Sequence, residues 1–86
     1  MKIFKARIHI TLKPGVFDPQ GKVILSSLET LGHKSVQRVS TGKYFEIELV
    51  AEDAEVAKRE VEDICQGLLA NPVIEKWNHR ISEAPK

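Results

Sequence analysis

The chain has one cysteine, Cys65, among its 86 residues, so no internal disulfide can form. Small secreted domains commonly rely on disulfides, and their absence fits a reducing compartment, the cytoplasm. Aromatic residues are also scarce, at three Phe, one Tyr and one Trp, so aliphatic side chains must build most of the core from an apolar fraction of 42%. No run approaches the roughly 20 apolar residues of a membrane span. Charges interrupt the opening Met1-Lys2-Ile3-Phe4-Lys5-Ala6-Arg7, which does not read as a signal peptide. Neither is there an excess of one charge: 13 Lys plus Arg against 12 Asp plus Glu leave +1, with the signs interspersed. Without a sustained positive field, nucleic acid is not implied as a partner. What remains is one domain, residues 1–86. A chain of this size buries only about 60 to 65 per cent of its extended surface, so association with another chain would help it.

From Phe4 the apolar residues fall at every second place, through Ala6, Ile8, Ile10 and Leu12, with Lys5, Arg7, His9 and Thr11 between them. This is the period of a half-buried strand. Lys13-Pro14-Gly15 signals a turn, and Asp18-Pro19 supplies an N-cap followed by proline at the first helical position. The first helix therefore starts near residue 19, carries Val23, Ile24, Leu28 and Leu31 on one stripe, and stops at Gly32. A second strand is expected over 35–41, although Val36 and Val39 do not alternate, which suggests a bulge or an edge. Gly42 permits a tight hairpin into a third strand, where Phe45, Ile47 and Leu49 alternate with Glu46 and Glu48. A longer helix is expected over 53–70, with Ala57, Val61, Ile64, Cys65, Leu68 and Leu69 on one stripe and the charged Lys58, Arg59, Glu60, Glu62 and Asp63 mostly turned to solvent. Asn71-Pro72 closes it. A last strand over 73–81 places Val73, Trp77 and Ile81 in one phase, and the tail Glu83-Ala84-Pro85-Lys86 has nothing to bury.

The order β-α-β-β-α-β points to an α+β, ferredoxin-like sandwich: a four-stranded antiparallel sheet with both helices on one face. The opposite face would carry Ile3, Lys5, Arg7, His9 and Thr11 beside Tyr44, Glu46, Glu48 and Val50. That mixed surface, or the sheet edges, could serve a homo-oligomer.

Chemistry is hard to find. His9, His33, His79 and Cys65 have no metal-ligand spacing. His79 reads as a hydrogen-bonded structural residue, and His33 as a loop residue beside a helix end. Cys65 sits on an apolar stripe, as a packed thiol does. No serine lies in a nucleophile elbow, and the acidic residues lie on a solvated helix side, where perturbed pKa values are unusual. The turn at Lys13-Pro14-Gly15 lacks the glycines and hydroxyl of a Walker loop. No catalytic residue and no metal site is expected.

Three segments carry a family pattern: Thr11-Leu12-Lys13-Pro14-Gly15-Val16-Phe17-Asp18-Pro19-Gln20-Gly21, then Gly42-Lys43-Tyr44-Phe45-Glu46-Ile47-Glu48-Leu49, then Leu68-Leu69-Ala70-Asn71-Pro72-Val73-Ile74-Glu75. In order and spacing they resemble the PurS family, the small subunits of multi-subunit phosphoribosylformylglycinamidine (FGAM) synthase, an ATP- and glutamine-dependent ligase of purine biosynthesis. The resemblance implies a subunit without catalytic residues. It would bridge the large synthetase subunit, PurL, which uses ATP and magnesium, and the glutaminase, PurQ, and would support ammonia transfer between them. It implies no cofactor on this chain, and self-association into a dimer or, by pairing of dimers, a tetramer. Onto the family motifs fall Lys13, Pro14, Gly15, Asp18, Pro19, Gly21, Gly42, Lys43, Asn71 and Pro72. Most have evident folding roles, but Lys13 and Lys43 have little structural reason to be lysine and are expected to touch partners.

Two other classes compete. A small-molecule-sensing regulatory domain shares the topology and would bind ligand near a turn such as Pro14-Gly15. An acylphosphatase would need an arginine in the loop 12–18, which has none.

Overall fold

The computed structural model describes residues 1–84. Its elements are β1 (Lys2–Leu12), α1 (Pro19–Thr30), β2 (Gly42–Ala51), α2 (Ala54–Ile64), a π-helical turn (Cys65–Leu69) and β3 (Glu75–Glu83). The alternation along β1 becomes two faces: Phe4, Ala6, Ile8 and Ile10 are buried, while the residues between them look the other way. β1 is central and pairs antiparallel on both sides, so that Ala6 faces Ile47 of β2 and Ile81 of β3, and Ile10 faces Trp77.

One helix closes the apolar face. Ala57, Val61 and Cys65 recur at every fourth residue, all with 0% exposure, and sit over Phe4, Ala6, Ile8 and Ile10 with Phe45, Ile47, Leu49, Trp77 and Ile81 around them. Burying side chains the size of Ile8 and Ile10 stabilises the fold by about 1.5–3 kcal/mol each. The Cys65 thiol is part of this packing, and burial, then the nearby Glu62 carboxylate, pushes its pKa up. Asp53 caps α2 by accepting from Val56 N–H at 3.0 Å. At the other end the helix widens by one residue, with Ala70 N–H donating to Cys65 O at 2.9 Å, and delivers the chain into the turn at 71–74.

The ferredoxin-like expectation fails in two respects. First, the sheet has three strands, in the order β2-β1-β3, because residues 35–41 form no strand. Their apolar pair Val36 and Val39, three apart, has no period-2 face to offer a sheet. The backbone is used otherwise: Val39 O lies where a side chain on Gly21 would be, and Thr41 N–H donates to Asp18 Oδ2 at 2.8 Å. There is accordingly no hairpin before β2, and Gly42 is not its turn. It is the first residue of β2, where a Cβ would lie 2.5 Å from Ile10 O.

Second, the helices do not share one face. Gly21 is the only buried residue of α1, and Val23 and Leu31 are 66% and 72% exposed. The Cα radius of gyration of 16.8 Å compares with about 12 Å for a compact chain of this length, and the extents are 53 × 29 × 15 Å. α1 ends as expected at Gly32, whose φ of +95° is left-handed; His33 N–H donates to Leu28 O and Gly32 N–H to Glu29 O, the double closure of a Schellman motif. The last strand starts two residues later than the sequence suggested, since Val73 belongs to the preceding turn and is exposed. Part of the expected tail is ordered by pairing: Glu83 ends β3 and Ala84 N–H donates to Ile3 O at 2.8 Å. Pro85 and Lys86 lie outside the described residues.

Candidate functional site: a clasp at one end of the sheet

All ten residues singled out from the sequence gather at the end of the sheet where β1 finishes and β2 and β3 begin. The loop after β1 turns at Lys13-Pro14-Gly15-Val16, where Val16 N–H donates to Lys13 O at 3.1 Å. Proline at the second position and Gly15 at φ +85° make this a type II turn. Asp18 then performs two tasks. Its carboxylate caps α1 through Gly21 N–H at 2.8 Å, and it also receives Thr41 N–H at 2.8 Å and the Thr41 hydroxyl at 2.9 Å. These donors, Gly21 N–H first and Thr41 N–H second, hold its pKa below the ordinary carboxylate value. Pro19 opens the helix. Asp18 thus joins the start of α1 to the start of β2, and Gly21 lets the two backbones meet.

The third segment forms the other half. Asn71 O accepts from Ile74 N–H at 3.1 Å and Glu75 N–H at 2.7 Å, Asn71 Oδ1 accepts from Val73 N–H at 3.1 Å, and Glu75 Oε1 accepts from Asn71 N–H at 2.7 Å. Pro72 contributes its carbonyl, and both lysines hold this turn. Lys13 Nζ donates to Pro72 O at 2.6 Å while Lys13 N–H donates to Ile74 O at 2.8 Å. Lys43 Nζ donates to Leu69 O at 3.1 Å and pairs with the Glu75 carboxylate at 3.4 Å. Each lysine therefore has a structural task that its sequence neighbours did not reveal.

Beside the clasp a cleft of about 310 Å³ opens between the loop 12–18 and residues 38–41, with Lys13, Gly15, Asp18, Arg38, Ser40 and Lys76 on its walls. Among the described residues no group of three His, Cys, Asp or Glu side chains is placed to hold a metal ion.

Two further groupings lie outside the clasp, of which the sequence reading missed the first and placed the second on one sheet face without its bonds. Glu62, assigned to the solvated side of its helix, instead reaches the sheet, with its carboxylate 2.7 Å from His79 Nε2 and 3.3 Å from Trp77 Nε1. It ties α2 to β3, and His79 is a hydrogen-bonded structural residue. Spacing gave no signal for a pair 17 residues apart. The second grouping lies on the sheet face away from α2. There the Tyr44 hydroxyl donates to Glu46 at 2.9 Å, Lys5 pairs with Glu46 at 3.3 Å, and the rings of His9 and Tyr44 lie 4.7 Å apart. The Glu46 carboxyl is held low by the Tyr44 hydroxyl and by Lys5, while burial and Glu46 push the Tyr44 phenol up.

The fold and the clasp define a small three-stranded antiparallel α+β unit whose motif residues brace loops and helix ends and whose first helix lies uncovered. Comparisons with known proteins specify its family. The family model for PurS, phosphoribosylformylglycinamidine (FGAM) synthase, matches residues 5–83. The PurS subunit of Archaeoglobus fulgidus is 48% identical over 73 residues, which is 85% of this chain and 91% of that one. Among solved structures, PurS of Methanocaldococcus jannaschii is similar with a TM-score of 0.85 at 39% identity, over 95% of this chain and 99% of that one. A chain of the PurLQS structure from Thermotoga maritima gives 0.87 at 33%, over 98% of this chain and 100% of that one. The chain belongs to the PurS family of FGAM synthase subunits.

Proposed function

We infer that this chain is the non-catalytic small subunit of FGAM synthase, linking the synthetase subunit PurL and the glutaminase PurQ in purine biosynthesis. The observation that carries this reading is family membership across residues 5–83, supported by the likeness to a chain of a PurLQS assembly along nearly its whole length. ATP and magnesium belong in this reading to PurL. The contribution of the small subunit is positional. Ammonia released into water near neutral pH is protonated and no longer attacks, so the glutaminase and the synthetase must be held with a protected route between them.

The same reading gives the uncovered helix a purpose. The exposed Val23 and Ile24 of α1 and Leu31 at its C-cap suit burial against a second copy of the chain, in a dimer or a tetramer. Lys13, Pro14, Gly15, Asp18, Pro19, Gly21, Gly42, Lys43, Asn71 and Pro72 shape the clasp that presents this end of the molecule to partners. The setting is the cytoplasm, in keeping with a lone buried thiol; no helix among the described residues is long and apolar enough to cross a membrane. The rival reading, a small-molecule sensor, has the cleft at the first turn to recommend it, but the family match favours the subunit.

The test is FGAM synthesis by PurL and PurQ with and without the chain, driven by glutamine or by ammonium. Glutamine-driven turnover should require the chain, while ammonium-driven turnover survives its omission. Indifference of both to the chain would sink the bridging role.

A further inference from the structure

We propose that the open face of the sheet is a docking surface for an acidic protein surface, engaged through a basic strip formed by Arg7, Arg80 and Lys76. The inference rests on the bridging role and specifies the chemistry of one of its contacts.

Strand register places the charges. On the face away from α2, Arg7 stands opposite Glu46 of β2 on one side and Arg80 of β3 on the other, and Thr11 stands opposite Lys76. Like charges directly opposed across strands are destabilising, so the isolated fold gains nothing from the Arg7 and Arg80 pairing. Relief from within is partial and falls to Arg7 alone. Arg7 acts on the neighbouring Tyr44 and Glu46, but Glu46 is already engaged by Lys5 and the Tyr44 hydroxyl, and no described carboxylate lies within ion-pair distance of Arg7, Arg80 or Lys76. Four cations on this face, Lys5, Arg7, Lys76 and Arg80, against two carboxylates, Glu46 and Glu48, leave a surplus of two, although the whole chain carries only +1. The remainder of the molecule is therefore slightly acidic, and the positive charge is concentrated here. Lys76 also reaches the cleft that Arg38 lines, which extends the strip toward the clasp.

The pattern discriminates among occupants. Stacking a second copy face to face about a two-fold along β1 sets Lys5 and Arg7 on their own counterparts and Glu46 over Arg80, and the two faces still meet with a surplus of two positive charges each, which opposes that arrangement. A nucleic acid backbone would meet the Glu46 and Glu48 column on β2. A protein surface bearing Asp and Glu over β1 and β3, and something neutral or basic over β2, meets neither objection. Three strands spaced about 4.8 Å apart and about 30 Å long offer roughly 400 Å², about half of one side of a standard interface. This face thus steers and orients a partner held elsewhere as well.

The test measures affinity of the chain for a PurL and PurQ mixture at two salt concentrations, using wild type, Arg80→Glu, the double variant Arg80→Gln with Lys76→Gln, and Glu48→Lys. Expected are a loss of roughly tenfold for Arg80→Glu, a smaller loss for the double variant, no loss for Glu48→Lys, and a salt dependence that shrinks as cations are removed. Melting temperatures should hold, since Arg80→Glu replaces a like-charge pair by an opposite one. Wild-type affinity and salt dependence in both cation variants would overturn the proposal. So would a change in the size of the isolated chain that accounts for the loss, or Arg80-dependent binding of a single-stranded oligonucleotide with partner affinity untouched. If wild type itself neither binds the mixture nor supports glutamine-driven turnover, the bridging role fails and this inference with it; if wild type does both and the variants match it, only the inference fails.

Discussion

Both helices begin at an aspartate cap, Asp18 for α1 and Asp53 for α2, and both carry an apolar stripe, yet α2 buries Ala57 and Val61 while α1 buries only Gly21. The difference lies in what each is joined to. α2 follows directly on β2, with two residues between them, and is turned back over the sheet at once, where Glu62 fastens it to β3. α1 sits between two longer connections, 13–18 and 31–41, and is held at its ends by Asp18, Gly21 and the Gly32 stop. Amphipathic patterning states that a helix has a face to bury. It does not state against which molecule.

The contrast can be broken most severely in the core. Val61→Ala removes two methyl groups from a site with 0% exposure and should cost about 2–3 kcal/mol, seen by urea unfolding as a lower midpoint with an unchanged slope. An unchanged midpoint would mean that α2 is not the structural helix. Next comes the hinge of α1. Gly21→Ala places a Cβ 2.5 Å from Val39 O, so the start of α1 must move away from residues 39–41. Amide exchange should rise across α1 and at Thr41 while Ile8 and Ile10 stay protected; equal loss of protection everywhere would show that the two regions do not open separately.

A gentler perturbation is acid. Because Asp18 has a lowered pKa in the fold, its anchoring is complete above its unfolded value of about 3.9 and is lost as pH falls through the folded value. Protection of Gly21 and Thr41 amides should therefore be steady near neutrality and decline in strong acid, with Asp18→Asn flattening that decline. A decline of the same size in the Asn variant would assign the effect to another group. The smallest effect on the isolated chain is expected from Val23→Ala with Leu31→Ala, at most about 0.5 kcal/mol for each exposed position. The same pair should weaken self-association in sedimentation or light scattering, and an undiminished oligomer would leave the α1 face without its proposed occupant.

How much could be read beforehand follows the range of each interaction. The alternation of β1, the Pro14-Gly15 turn, the Asp18-Pro19 start and the Gly32 stop are local, and the structure has them at those residues. The strand expected over 35–41 rests on two valines and a flanking glycine, and a strand needs a neighbour as well as a propensity. β1 has two sides, and β2 and β3 occupy both. Within the clasp, motif residues were visible but their bonds were not. Asp18 to Thr41 spans 23 residues, Lys43 to Leu69 spans 26 and Lys13 to Pro72 spans 59, and a lysine that reaches a carbonyl across such a distance looks in sequence like any solvated lysine.

By itself, then, the sequence determined the periods, caps and turns, because these depend on backbone conformations and side-chain spacing within a few residues. It also determined the family, whose three motifs stand in order along the chain. The tertiary structure alone decided that the sheet would stop at three strands, that α1 would remain uncovered, and that Lys13 and Lys43 would close one turn. Each of these depends on which distant groups compete for the same hydrogen bonds and the same face of β1.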